Sequence, residues 1–186
     1  MKIESQLLLE ELLFKTEEIT NIVIGFKTLT ADQLKNKKDS KSWNALECLE
    51  HLNRYGEFYI PEIEKRILAQ RKNTASKIFE SGLWGNYFAN LMSVNKKDKK
   101  IFKMKTFHTM NPVNSNLNIL TIEKFLKQQY ALKLLLSQAS QVDLTKTKTS
   151  VSLTSYIKLR LGDTFRFYIN HIERHLLQAQ RAIRNE

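Results

Sequence analysis

Ser42-Trp43-Asn44-Ala45-Leu46-Glu47-Cys48-Leu49-Glu50-His51-Leu52 is the stretch whose reading decides the fold, because it writes both a helix start and the opening of a buried face. Asn44 as N-cap and Glu47 three residues on form a capping-box pair, while Trp43 and Cys48 hold the hydrophobic-staple positions around it. From there apolar residues recur at three and four: Ala45, Cys48, Leu49, Leu52, Tyr55, Tyr59 and Ile63 make one stripe. His51 lies one turn from both Cys48 and Tyr55, at the edge of that stripe and within reach of a bundle interior. Pro61 lacks a backbone donor and predicts a kink or break before Ile63 to Gln70 continues.

The rest of the chain carries the same period. Only 5 glycines and 2 prolines punctuate 186 residues, and no stretch shows sustained strand alternation, so helices are expected to dominate. A first helix is predicted from about Ile3 to Phe26 with Leu8, Leu12, Ile19, Val23 and Phe26 inward, and a third from about Ile119 to Ala139 with Ile122, Phe125, Leu132 and Leu136 inward. A lysine- and threonine-rich loop and a short turn near Tyr156 follow. Gly162 and Asp163 then introduce the last helix, to about Ile183, with the stripe Phe165, Tyr168, Ile172, His175, Ala179 and Ala182. The expected architecture is all-α: an up-and-down four-helix bundle, one domain over 1–186, with a long irregular insertion at about 72–118 between helices two and three. A short helix around Trp84 to Met92 falls in that insertion. Its aromatics Phe79, Trp84, Tyr87, Phe88, Phe102 and Phe107 either close a pocket or, the favoured reading, pack the excursion onto the bundle.

Charge and cysteine usage narrow the function classes. Thirty Lys and Arg against 19 Asp and Glu give a net charge of +11, which raises an anionic partner. The lysines, however, gather in short polar stretches (Lys35 to Lys41, Lys96 to Lys105, Lys146 and Lys148) and not along one helix face, and no zinc-finger, RNA-binding or helix-turn-helix signature is present. Nucleic-acid binding is therefore disfavoured against solvated lysine-rich loops. The single cysteine, Cys48, can form no intramolecular bridge, which fits a reducing, cytoplasmic setting. Glu10 and Glu11 interrupt the leucines of the first helix, so neither a signal-peptide core nor a membrane span is expected there.

The chemistry-bearing residues are histidines. His171 and His175, one turn apart, project from one face of the last helix, with His175 on the apolar stripe and His171 adjoining it. An H-x-x-x-H pair alone says little, since a core histidine bonded to a carbonyl or tyrosine gives the same spacing. With His51 at a comparable depth on a facing helix, three imidazoles can hold a divalent metal and leave a position open. Zinc, nickel, manganese and iron all accept imidazole, and ligand type does not choose among them. Cys48 and Glu47, one turn before His51, are alternative ligands whose packing and capping roles explain them without a metal; His108 is read as a solvated loop residue or one that overhangs the site. Glu173 and Arg174 point away on the helical wheel, or one of them orients a neighbouring loop, and neither is assigned a catalytic role. Gly-rich phosphate loops, G-x-S-x-G and H-E-x-x-H are absent from the sequence.

The run Ser42 to Leu52, with its tryptophan eight before the histidine, resembles the second-helix motif of the DinB-like superfamily. Leu161-Gly162-Asp163-Thr164-Phe165-Arg166-Phe167, leading into His171-Ile172-Glu173-Arg174-His175-Leu176-Leu177-Gln178, resembles that family's last helix. The resemblance implies a four-helix bundle of the damage-inducible metalloprotein type, unrelated to the DNA polymerase of similar name. It implies a divalent metal, zinc or nickel foremost, on His51, His171 and His175. It also implies a metal-dependent enzyme that activates a low-molecular-weight thiol for transfer onto a small-molecule substrate, and a homodimer. A metal-dependent hydrolase and a non-catalytic, stress-related metal-binding or interaction protein remain the alternatives. The insertion at 72–118 departs from the minimal bundle, so a substrate class does not carry over.

Overall fold

Four stretches of three-and-four apolar spacing become four long helices, and each buries its stripe against two others. The structure, a computed structural model, describes residues 1–70, 74–94, 106–113, 115–152 and 154–185. In order, β1 (Lys2–Glu4) leads into α1 (Ser5–Phe26), then come the short α2 (Ala31–Lys35), α3 (Ala45–Gln70), β2 (Ile78–Glu80), α4 (Leu83–Met92), α5 (Ile119–Ala139), β3 (Lys148–Val151), β4 (Thr154–Arg160) and α6 (Leu161–Arg184). A 3-10 turn, His108–Met110, precedes α5.

The fold is the expected all-α bundle, although its four long helices do not alternate strictly up and down. α3 packs on α5 and α6, and α1 packs on the same pair, which sets α1 and α3 on opposite corners. Lys27, which caps the end of α1, pairs with Glu123 near the start of α5, so these two helices run antiparallel, whereas Glu57 pairs with Lys124 and Asn53 with Thr121, so α3 and α5 run parallel. The long excursion between α3 and α5 makes this order of directions attainable, since it returns the chain to the end where α3 began. Every residue expected to face inward on α1, α3 and α5 is buried, and so is the α6 stripe apart from half-buried His175. Tyr59, Phe125, Phe165 and Tyr168 are the largest fully buried side chains at the centre.

The helix ends follow their local signals. Asn44 N donates to Glu47 Oε2 at 2.9 Å and Glu47 N to Asn44 Oδ1 at 2.8 Å, completing the capping box that opens α3. Pro61 neither breaks α3 nor ends it. It sits on the exposed face together with Glu57, whose carbonyl loses its intrahelical donor and can be solvated instead.

Two small antiparallel sheets correct the expectation of no strands. β1 pairs with β2 (Ile3 opposite Phe79), so the first residues read as helix are strand, and β3 pairs with β4 (Thr149 opposite Leu159) where only a turn was expected. The α4 helix lies where the short insertion helix was expected and packs on α6. Of the insertion aromatics, Phe79 is fully buried against the bundle, Trp84, Tyr87 and Phe107 are exposed, and Phe102, like the lysine run from Lys96 to Lys105, lies outside the described residues. Phe79 packs over Gly162 so closely that a Cβ there would stand 2.5 Å from its ring. Gly162→Ala is therefore expected to cost about 1–3 kcal/mol by overpacking, read as a lower midpoint in urea with an unchanged slope.

Candidate metal centre

Antiparallel packing of α3 on α6 brings His51 opposite the pair on α6. One ring nitrogen from each of His51, His171 and His175 lies within 4.8 Å of the others, and this is a metal-capable cluster among the described residues. The ring centroids are 4.5 Å apart for His51 and His175, 4.7 Å for His171 and His175, and 5.2 Å for His51 and His171. His51 and His171 are buried and His175 is half-buried, so His175 is the most accessible of the three. The wheel had placed His175 deeper than His171; α3 and α4 both pack on α6 and cover more of it than one stripe.

The partners of the outer nitrogens fix which atoms face inward. His51 Nδ1 donates to the Met110 carbonyl at 2.7 Å, which can only accept, so His51 Nε2 carries a lone pair. His175 Nδ1 bonds Gln178 Oε1 at 3.0 Å, leaving its Nε2 for the centre in the same way. His171 Nε2 stands 3.3 Å from His51 Nε2, and its Nδ1 is buried with no hydrogen-bond partner among the described residues. Neither neutral tautomer of His171 resolves this. With the proton on Nδ1, a buried donor is orphaned and two lone pairs face each other; with it on Nε2, the pair is bonded but Nδ1 becomes an orphaned acceptor. A cation drawing on all three inward nitrogens removes the lone-pair conflict, so the donor set fits a divalent ion.

Aromatic rings wall the cluster. Trp43, at the staple position, lies 4.9 Å from His51 and 5.8 Å from His175, Tyr55 is 4.5 Å from His171, and Phe167 stacks on His171 at 6.1 Å. Burial in this apolar setting is the main reason that His51 is held down to about 4, with the Met110 bond opposing the shift and the Arg54 charge adding to it. Burial, then His51, holds His175 down to about 3; burial, then its two neighbours, puts His171 well below its ordinary value. All three are thus neutral near pH 7, the state that ligates metal. In the protein without a bound ion, these depressed values make stability depend on pH. The unfolded chain takes up protons from about 6.5 downward while the folded one does not, so stability is full above 6.5 and falls as pH drops toward about 4 and about 3. The slope should approach about 1.4 kcal/mol per pH unit for each histidine, measured as denaturation midpoints across that window.

The other residues considered from sequence lie outside the cluster. Cys48 is fully buried in the core, and burial, with Glu47 nearby, pushes its thiol up, away from a thiolate ligand. Glu47 is engaged by Asn44 and by Lys37 at 2.7 Å. His108 is exposed; the loop's contribution to the site is the Met110 backbone carbonyl. Glu173 turns away to Lys15 at 3.2 Å as expected, and Arg174 is buried, 7% exposed. Sequence reading also passed over Gln178, Tyr55 as a wall and Arg54. Two surface cavities, of about 420 Å³ beside β1 and the start of α1 and about 170 Å³ between α1 and α6, have no triad histidine in their lining.

A helical bundle with three convergent histidines from its second and last long helices defines a class of candidate metalloprotein. The DinB superfamily model matches residues 17–179, nearly the whole bundle, and the chain belongs to that superfamily. No curated protein and no solved structure matches the chain.

Proposed function

We propose that the protein is a metal-dependent enzyme in which His51, His171 and His175 hold one divalent ion, zinc or nickel foremost, and that it transfers a low-molecular-weight thiol to a small-molecule substrate. The observation that carries the metal reading is the unpartnered buried His171 facing His51 Nε2 at 3.3 Å, inside the superfamily to which the chain belongs. Such an ion with an open position supplies Lewis acidity and lowers the pKa of a thiol or water placed there. The chain's own part is to orient and to exclude water. Met110 and Gln178 fix the two outer tautomers, Trp43, Tyr55 and Phe167 keep the surroundings apolar, and the half-buried His175 edge is the approach for substrate. Cys48 is too buried to act as nucleophile, which supports an external thiol. A single packed cysteine supports a cytoplasmic setting, and no described helix is long and apolar enough to cross a membrane. One domain over 1–186 and a homodimer complete the reading.

Elemental analysis of untagged protein purified without chelators tests it, with His51→Ala and His175→Ala alongside. About one equivalent of metal in the parent, lost in both variants, is expected; less than about half an equivalent, unchanged in the variants, defeats the assignment. Adding a small thiol to the cobalt-substituted protein then reads the open position. An altered visible spectrum supports thiol transfer, and no change with thiol removes that chemistry.

A further inference from the structure

The Met110 carbonyl that fixes His51 sits between two carbonyls that are themselves held. Arg54 Nη1 donates to Thr109 O at 3.2 Å and to Asn111 O at 2.6 Å, and its Nη2 donates to Ser115 Oγ at 3.0 Å. The guanidinium is braced from behind by Glu50, one turn earlier, at 3.2 Å from Nε. Three consecutive carbonyls, 109, 110 and 111, are thus tied to α3 by two residues three apart, the outer two by Arg54 and the middle one by His51. Pro112, buried just beyond, continues the same anchorage. Residues at i and i+3 share a helix face, so the metal-facing histidine and the loop-holding arginine rise from one turn.

We infer that Arg54 is a positioning residue for the metal centre: by latching Thr109, Asn111 and Ser115 onto α3 it holds the Met110 carbonyl on His51 Nδ1 and thereby keeps His51 Nε2 as the inward lone pair. This rests on the metal reading above and adds to it a residue that touches neither the ion nor the substrate. The physical basis is that a neutral imidazole has two tautomers, and the hydrogen bond at one nitrogen decides which remains free to ligate. Without the latch, the 3-10 turn keeps only its own short-range bonds at this point, Met110 N to Phe107 O at 2.9 Å and Asn111 N to His108 O at 3.1 Å, neither of which ties it to α3, and the carbonyl can leave the histidine. Arginine suits the task because its planar fork reaches two carbonyls and a hydroxyl at once, which an ammonium on a flexible stem does not.

The test uses the full chain with Arg54→Ala and Arg54→Lys, and with Ser115→Ala and Glu50→Gln as milder variants that read the same latch if Arg54→Ala does not fold. Zinc affinity is measured by competition with a chromophoric chelator. The His51 tautomer is read in the chelated protein from long-range proton–nitrogen NMR spectra, and the exchange of the 109–111 amides by mass spectrometry. Arg54→Ala is expected to weaken zinc binding roughly 10–100-fold, to mix the His51 tautomers and to speed exchange at 109–111, with Arg54→Lys between it and the parent. Zinc binding within about threefold of the parent, with His51 still protonated at Nδ1, overturns the positioning role while leaving the metal reading in place. A parent that takes up no zinc, nickel or cobalt overturns the metal reading instead. The tautomer and exchange measurements then still decide the latch, since an unchanged Nδ1 proton in Arg54→Ala overturns it without any metal.

Discussion

His171→Leu is expected to abolish metal retention and, in the chelated protein, to raise stability by about 1–3 kcal/mol, the cost of one unsatisfied buried polar atom. The two effects share one cause. In the metal-free state His171 is buried with Nδ1 unpartnered and Nε2 set 3.3 Å from a nitrogen whose lone pair is already fixed by the Met110 bond. Leucine removes both conflicts and fills a space walled by Tyr55 and Phe167 with carbon. Replacing a buried polar group by an apolar one of similar volume is often neutral or stabilising, whereas truncation to alanine adds a cavity and would hide the gain. For a chain of this size the gain should appear as a rise of roughly 2–12 °C in the melting temperature of the chelated protein. On the proposed assignment, replacing His171 should lower metal affinity more than the roughly 10–100-fold typical of outer-sphere changes. With metal restored the order reverses, because only the parent is stabilised by binding. Parent-like metal content in His171→Leu would refute the ligand assignment. A chelated variant less stable than the chelated parent would refute the account of stored polar cost.

Much of this geometry was legible in the sequence wherever side-chain type and period carry the information. Asn44 and Glu47 announce the start of α3 because their reciprocal bonds need only residues three apart, and α5 begins and ends where its stripe does. The three histidines could be grouped because two lie one turn apart and the third lies on the other strongly patterned helix. What stayed hidden depends on tertiary partners. β1 and β2 are three residues each and exist through pairing with one another across the whole of α1 and α3, so no local window carries them. In β4, Tyr156, Ile157 and Lys158 are exposed in a row and only then is Leu159 buried, so no alternation marks the strand, and its partner β3 lies in the lysine- and threonine-rich stretch that reads as a loop. The Met110 carbonyl is a backbone atom with no residue signature, and its importance follows only from Arg54 on another element. Arg174 is buried because α6 is covered by α1, α3 and α4, whereas a wheel drawn for a surface helix assumes one covered face.

Asp163→Ala is expected to destabilise the protein by about 3–5 kcal/mol, the loss that follows when one partner of a buried ion pair is removed. Asp163 is fully buried in the first turn of α6, where no side chain caps the helix and a negative charge complements its N-terminus. Its carboxylate accepts from the Ser81 hydroxyl, from Gly82 N at 2.8 Å and from Arg166 Nη1 at 3.1 Å. Arg166, only 9% exposed, reaches on to Asn86 Oδ1 at 3.2 Å and Asn90 Oδ1 at 3.3 Å, so the pair fastens the whole of α4 to α6. Gly85 admits this approach, since a Cβ there would stand 2.3 Å from Asp163 Oδ2. Alanine leaves the buried guanidinium charge uncompensated, although its bonds to Asn86, Asn90 and Ser81 remain, and removes the acceptor of the Ser81 hydroxyl and of Gly82 N. Asparagine keeps the volume and one acceptor, and should cost only about 1–3 kcal/mol. Calorimetry should show a fall of roughly 6–20 °C for alanine, with amide exchange speeding first in α4. The site lies about 12 Å along α6 from His171, so metal content per folded molecule should be unchanged. An alanine variant that melts within about a degree of the asparagine one would show that packing, and not the buried charge pair, holds α4 in place.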